Sequence, residues 1–435
     1  MKNIIIKSLL IISAASLAVS CQKDYGNLNS PTAENFVSNA TQNDLNNLVT
    51  GTESGMRNNM GLYLDDVGSI GRENYRFSPA EPRYVTDLLG AADATLTNSN
   101  FYITNPWAAR YRVVKNCNLL IQAAANSTFV DAAQKAGFIG FAQTIKAYEL
   151  LLNLNLTDTN GIRLNVDDPA ALGPIYSFEQ AFDSIQLYLD QGKTSLQSAT
   201  ISFPLSGGFN GFSDAAGLIQ FNRALSARVQ LYRKDWSAAL TALSESFFGL
   251  NKDFNLGVYH VFGTGSGDQI NPAFIPQNQT GEVRVAHPSF AQDILAGDDR
   301  ISKATLRTSV ASSSGLSSNR DVWVYTSSTA PMPIVRNEEL ILIYAEASIQ
   351  TNNLGDAITA LDVIRQNHGL SPYAGAISQS ALTTEMLYER RYSLYMEGHR
   401  WIDVRRYNLL NTLPLDRPDD NVWGQFPLPV SEPAN

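Results

Sequence analysis

Four histidines, His260, His287, His368 and His399, are the side chains of this chain best suited to hold a transition metal or to move a proton near neutral pH. They are scattered, and no two stand at the spacing that puts two ligands on one helix face, so no zinc or iron site is expected. Phe262-Gly-Thr-Gly-Ser-Gly-Asp268 has the backbone freedom to cradle a phosphate, but it lacks the lysine and the following helix of a P-loop and reads as a flexible loop. No G-x-S-x-G nucleophile elbow occurs. Asp158-Thr-Asn160-Gly161, followed by Asn165, Asp167 and Asp168, supplies oxygen donors of the kind calcium takes. It misses the EF-hand spacing and the closing glutamate, so it reads as a capped turn and a structural calcium is unsupported. Asp65-Asp66 and Asp298-Asp299 are acidic pairs, but hydrolysis of a glycosidic bond needs two carboxyls facing each other across about 5–9.5 Å, and adjacent acids point apart. No cofactor and no catalysis are expected.

What remains is chemistry for holding a ligand. Sugars present apolar C–H faces and rings of hydroxyls, so a site for them combines exposed aromatic rings with amide, carboxylate or guanidinium groups. Gly71-Arg72-Glu73-Asn74-Tyr75-Arg76-Phe77 has that make-up, followed by Arg83-Tyr84, by Asn100-Phe101-Tyr102 and by Trp107. In this reading Arg72, Asn74 and Arg83 donate to hydroxyls, while Tyr75, Tyr84, Tyr102 and Trp107 offer rings. Trp323 and Tyr325, from a later loop, form an opposite wall. Composition agrees: of 435 residues only 17% are charged, and the net charge is −9. With no basic field on offer, binding to nucleic acid by bulk charge is excluded.

Helical periodicity supplies the frame. It predicts helices over Thr41–Asn59, Pro106–Ala125, Asp131–Leu154, Ser177–Ser195, Gly217–Tyr232, Trp236–Phe247, Asn337–Gln350, Leu354–Asn367 and Ala381–Tyr407. Strands are short, at Glu282–Ala286 and Val322–Thr326. Long irregular stretches are expected at Gly61–Asn105, Leu156–Ile175, Ser202–Phe212, Asn251–Gln279 and Arg307–Ser328, and loops of that length in a helical protein are usually functional. Asn222–Leu243 and Ile341–Ile364 repeat one scheme: Ala227 or Ala347, a Gln three residues later, a polar turn, then a second helix such as Ala357–Leu361. Small residues on facing helices permit close packing, which is the tetratricopeptide device. The paired units are placed at about 106–155, 177–249 and 337–368.

The first residues carry a different message. Lys2 and Lys7 precede an apolar run and small residues, the pattern of a secretory signal at 1–20. Ala18-Val19-Ser20-Cys21 resembles a bacterial lipobox, in which Cys21 becomes acylated. A polar tether, 21–40, follows and includes Gln22-Lys23-Asp24, and residues 41–435 form one domain. Cys117, in a helical pattern, reads as a small buried hydrophobe.

The densest run of charge is LYERRYSLYMEGHRWIDVRRYNLL, Leu387–Leu410. Arginines interleaved with acids on a helix point to a paired network inside a fold, because an isolated buried charge is very costly. Nearby partners such as Glu397 and Asp403 for Arg400 are the simplest pairing. Glu389-Arg390-Arg391, Leu394, Glu397-Gly398, Arg400-Trp401, Asp403 and Arg405-Arg406 resemble the C-terminal signature, at 381–410, of the SusD/RagB family of outer-membrane nutrient-binding lipoproteins of Bacteroidetes. Ile334–Ala347, Arg365–Leu370, Asp298-Asp299-Arg300 and Phe426–Pro429 with Glu432 and Asn435 resemble further family segments. Ser393, Met396 and Asp362 depart from its commoner residues, and the chain is short for the family.

The resemblance implies a mostly α fold, SusD-like, with tetratricopeptide-like helix pairs forming a superhelical frame, long irregular loops and a few short strands. It places the ligand site on loops opposite that frame, largely in the N-terminal half. It implies a lipid-anchored protein of the outer membrane, facing the exterior, that binds an oligosaccharide or polysaccharide and delivers it to a SusC-like TonB-dependent transporter. Peptide cargo, a lipid-anchored glycoside hydrolase and a periplasmic tetratricopeptide adaptor are the alternatives.

Overall fold

The computed structural model describes residues 37–168 and 171–432. The signal at 1–20, Cys21, most of the 21–40 tether and Asn435 lie outside the described residues. Helix α1 (Gln42–Met56) begins in a capping box, Thr41 accepting from the Asp44 N–H while the Asp44 carboxylate accepts from the Thr41 N–H. Capping boxes also start α4 (Ala132–Thr157) at Asp131 and α5 (Phe178–Leu196) at Ser177. These signals are local, which is why the sequence places these helices well.

The segment after α1 differs from expectation. Gly61–Asn105 is not one long loop. It opens with α2 (Met60–Ile70) and strand β1 (Asn74–Phe77), followed by short turns up to α3 (Phe101–Asn126). Helix α2 has two glycines and no side-chain cap, since Asn59 sits in the left-handed region at φ 57°. Nearly all of α2 is buried, so tertiary packing overrides its weak propensity.

Successive helices then pack on one another: α3 on α4, α4 on α5, α5 on α6 (Ala215–Arg233), and α6 on α7 (Trp236–Ser244). Between α4 and α5 the approach is close enough to demand glycine. A Cβ on Gly140 would lie 2.9 Å from the Gly192 carbonyl oxygen and 2.6 Å from Leu196 Cγ. The short α8 (Pro288–Asp293) interrupts the series. Packing resumes with α9 (Asn337–Gln350), α10 (Leu354–Asn367) and α11 (Gln379–Ser393), with α9 contacting α7 and α6. The repeat alanines Ala227, Ala347, Ala357 and Ala360 are all fully buried, as close helix contact requires. The fold is mostly α, with helices packed in pairs and a few short strands.

Among the described residues, three small antiparallel sheets sit on this frame. The largest has the order β1-β5-β7-β6, built from β1, β5 (Val283–Ala286), β6 (Ala304–Ser313) and β7 (Leu316–Val322). The β6–β7 hairpin occupies much of the stretch expected to be irregular after Arg307. Its turn is Ser314-Gly315, both at positive φ (51° and 81°), the geometry that joins antiparallel strands with two residues. Strand β2 (Ile162–Arg163) pairs with β3 (Ile175–Tyr176), and β4 (Gly257–His260) pairs with β8 (Met332–Arg336) through a bulge between Val258 and Tyr259.

The charged C-terminal stretch is not one helix. It breaks after α11, turns through Met396 (φ 60°) and Gly398 (φ 86°), and restarts as α12 (Arg400–Arg406). Its ion pairs reach other elements. Asp403 accepts from Arg390 Nε at 2.7 Å and from Arg406 Nε at 2.9 Å. Arg406 also grips the Glu346 carboxylate on α9, which accepts from Tyr407 at 2.7 Å. Glu397 serves Arg336 rather than Arg400, and Arg391 meets Asp293 on α8. Burial alone would raise the Asp403 carboxyl, but Arg390 and Arg406 outweigh it and hold the group below the usual range. The stretch therefore fastens α11 and α12 to the repeat frame. Asp403→Ala leaves two buried guanidiniums without this acceptor and should cost about 3–5 kcal/mol in denaturant unfolding. Arg233→Ala removes an exposed pair with Asp183 and should cost less than about 1 kcal/mol.

Candidate functional site

A cavity of about 660 Å³, called the main cavity below, opens where the β4–β8 pair meets the C-terminal end of α10 and the loops around 254 and 325. The elements impose what lines it. Strand β8 runs straight into α9, so Arg336 and Glu338 are carried to the cavity at a strand-to-helix junction. The bulge in β4 lets Tyr259 and then Val261 border the space. His368 caps the end of α10, its ring 5.8 Å from Phe254. Tyr325 closes another side and donates its hydroxyl to the Met396 carbonyl at 3.0 Å.

Charge in the wall is balanced, Lys303 and Arg336 against Glu338 and Glu397. Arg336 Nη2 donates to Glu397 Oε1 at 2.8 Å and to the Ser393 carbonyl at 2.8 Å, and its Nη1 donates to Glu338. The other Glu338 oxygen contacts His368 Nε2 at 2.8 Å. Burial pushes the Glu338 carboxyl up, but Arg336, the His368 hydrogen bond and Lys303 together hold it well below its ordinary range. Lys303 donates to the Tyr392 and Ser393 carbonyls at 2.8 and 2.6 Å, and burial brings its ammonium down to about 8. Asn255 and Asn367 stand exposed at the rim. Rings, planar amides and mutually neutralised charges suit a polar ligand without net charge.

The residues expected to bind sugar divide sharply. Arg72 is buried at φ 57° and clamps the C-terminal segment, donating to the Pro414 and Asn421 carbonyls at 3.0 and 2.8 Å. Asn74 is fully buried beside Asp65. Tyr75 is 2% exposed, stacked on Phe77 at 5.5 Å and tilted against His287 at 5.1 Å. Tyr102 is fully buried with its hydroxyl on Asp87, and buried Trp107 donates to Glu432 at 2.9 Å. None of these five offers a ring face or a spare donor to solvent. The reason lies in the fold, because α2 and β1 carry 60–77 into the core instead of leaving it as a loop, and Tyr102 and Trp107 lie on the buried face of α3. Arg83 and Tyr84 keep partial exposure beside Phe101, and Trp323 is half-buried near Phe274. None of these three lines the cavity, whereas buried Tyr325 does. Phe254, Asn255 and Tyr259 were not singled out by sequence, although they fall in the Asn251–Gln279 stretch that loop length marks as functional. Arg336 and Glu338 carried only a helix-motif signal.

In the acidic turn, Asp158 pairs with Arg405 at 3.2 Å and Asn160 donates to the Phe426 carbonyl at 2.7 Å. Among the described residues no group of three or more His, Cys, Asp or Glu could hold a metal ion. Cys117 is a buried free thiol, its acidity suppressed by burial. Among the described residues no helix is long and apolar enough to cross a membrane.

Residues 297–427 match the model of the SusD family. A SusD-like carbohydrate binding protein from Bacteroides vulgatus is similar in structure, with TM-score 0.63 and 16% identity, the match covering 84% of this chain and 83% of that one. A SusD superfamily protein from the same species gives TM-score 0.67 at 14% identity over 89% and 96% of the two chains. Surface glycan-binding protein A from Bacteroides thetaiotaomicron, solved with laminarihexaose, gives TM-score 0.66 at 14% identity over 85% and 91%. At such identities the likeness establishes the fold. No curated protein is significantly similar to this chain.

The Glu338 cluster makes stability pH-dependent in a stated direction. A folded pKa below the unfolded one gives stability that is complete above the unfolded value, near 4.5, and is lost as pH falls towards the folded value. Acid unfolding of Glu338→Gln should therefore show a shallower loss of stability below about pH 5 than the parent protein, measured by denaturant midpoints across pH.

Proposed function

From the match of residues 297–427 to the SusD family model and the shared fold, we propose that this chain is a non-catalytic binding protein of the SusD/RagB kind that captures a neutral glycan in the main cavity. The observation that carries this reading is the balanced wall. Arg336 is engaged with Glu338 and Glu397, and Lys303 is held by the Tyr392 and Ser393 carbonyls, so a ligand meets fixed hydrogen-bonding groups without having to neutralise a net charge. Tyr259 and Phe254 supply partly exposed ring surface for C–H faces, and Asn255 and Asn367 supply amides at the rim. The similar structures of a carbohydrate binding protein and of a surface glycan-binding protein in complex with laminarihexaose make oligosaccharide the first class to test.

The same reading makes Cys21 the acyl anchor and the outer face of the outer membrane the working place, with a SusC-like TonB-dependent transporter as the recipient of cargo. Support for these three points is the family resemblance and the lipobox at 18–21, and the tetratricopeptide-like frame is the surface assigned to the transporter. Arg83, Tyr84 and Trp323 are assigned a secondary role, contacting portions of a long glycan outside the cavity.

Calorimetric titration of the purified protein with glucans, xylans, fructans, pectins, host glycans and mixed peptides tests the claim. One glycan should give saturable heat, and Asn255→Ala/Asn367→Ala should weaken it about tenfold, roughly the value of two rim hydrogen bonds. Heat with peptides alone would replace the glycan reading with peptide capture. Loss of glycan binding in Arg83→Ala/Tyr84→Ala with full retention in the rim variant would move the site to that surface.

A further inference from the structure

A second cavity, of about 240 Å³, lies beside the main one, and Tyr259 and Val261 border both. Regular alternation would send Tyr259 and His260 to opposite faces of β4. Strand β4 ends at His260, and beyond its bulge Tyr259, His260 and Val261 all line this second space. Across from them stand Thr50, Glu53 and Ser54 on α1, and the glycine-rich loop contributes Gly267 and Asp268.

The polar groups here are arranged for a guest. His260 is 4% exposed, and its Nε2 is buried without a hydrogen-bond partner. Such atoms are rare because each forfeits a hydrogen bond that water would have supplied. Burial, helped by the charges of Arg110 and Arg57, lowers its imidazole to about 3, so the ring is neutral. Glu53 receives the Ser206 N–H at 3.2 Å and its hydroxyl at 2.8 Å, which leaves lone pairs open. Arg57 Nη1 donates to the Val261 carbonyl at 2.7 Å and to Asp268 at 2.6 Å.

These features select one ligand class. Two carboxylates, Glu53 and Asp268, face one guanidinium, so the space rejects a phosphate in spite of its glycine-rich rim. A carboxylate, a neutral imidazole and hydroxyls ask for a neutral molecule with several hydroxyl groups, each both donor and acceptor. The volume matches the share of about eight waters, room for a single sugar ring. We propose that this cavity is a subsite for one neutral sugar residue, at the end of the chain held in the main cavity, with Tyr259 between the two. The inference rests on the glycan-capture reading.

The test uses purified protein labelled with ¹⁵N-histidine, and D-glucose, D-galactose, D-mannose and D-xylose at millimolar concentration. Thr50 is exposed and bonds only the Asn46 carbonyl one turn back, so Thr50→Trp blocks the space without disturbing the core. At least one sugar should shift the His260 ring resonances; the shift should vanish in Thr50→Trp and persist in Asn255→Ala/Asn367→Ala. No shift with any of the four, or one that survives Thr50→Trp, overturns the subsite. An oligosaccharide bound by the parent protein should bind Thr50→Trp about tenfold more weakly. Unchanged affinity would overturn the inference and leave capture standing. A monosaccharide shift without any oligosaccharide binding would instead overturn capture, and with it the claim that this cavity ends a chain.

Discussion

A guanidinium taken out of water must meet a carboxylate or carbonyl, and that requirement organises this molecule. Arg336 shows it best. It sits where β8 becomes α9, and it joins Glu338 on α9, Glu397 from the turn between α11 and α12, and the Ser393 carbonyl at the end of α11. Arg406 and Arg390 do the same around Asp403 and Glu346. Replacing such networks with apolar groups can be neutral for stability, whereas removing one member strands the rest. Their value here is therefore register: they fix where a broken C-terminal helix lies against a stack of helix pairs.

That register also shapes the cavity. Arg336, Glu338 and Glu397 are at once the fastening of the last helices and a wall of the main cavity. With Lys303 their charges sum to zero, so the wall carries no net charge, which suits a ligand recognised by its hydroxyls. Loops and the bulged β4 strand contribute the rings, so the frame supplies position and the irregular segments supply contact.

The helices were legible from sequence because their signals are local. Ser177 three residues before Gln180, and Asp131 before Gln134, announce helix starts without help from the rest of the chain. Helix α2 was not legible, since Gly61, Gly68 and an uncapped start argue against it and only burial among distant elements holds it. That one miss explains three of the buried residues, while Tyr102 and Trp107 are buried on α3. Once α2 and β1 enter the core, Arg72, Asn74 and Tyr75 become structural, however sugar-like their chemistry looks in a string. Tyr259 and His260 were hidden for the opposite reason, because a one-residue bulge that no composition reveals decides which way they face.

The most direct measurement is a crystal of the protein soaked with whichever oligosaccharide titration selects. The account predicts sugar density in the main cavity, with a ring against Tyr259 and hydroxyls within hydrogen-bond distance of Asn255 or Asn367. Density confined to the Arg83–Tyr84 surface, with the main cavity holding only water, would contradict it.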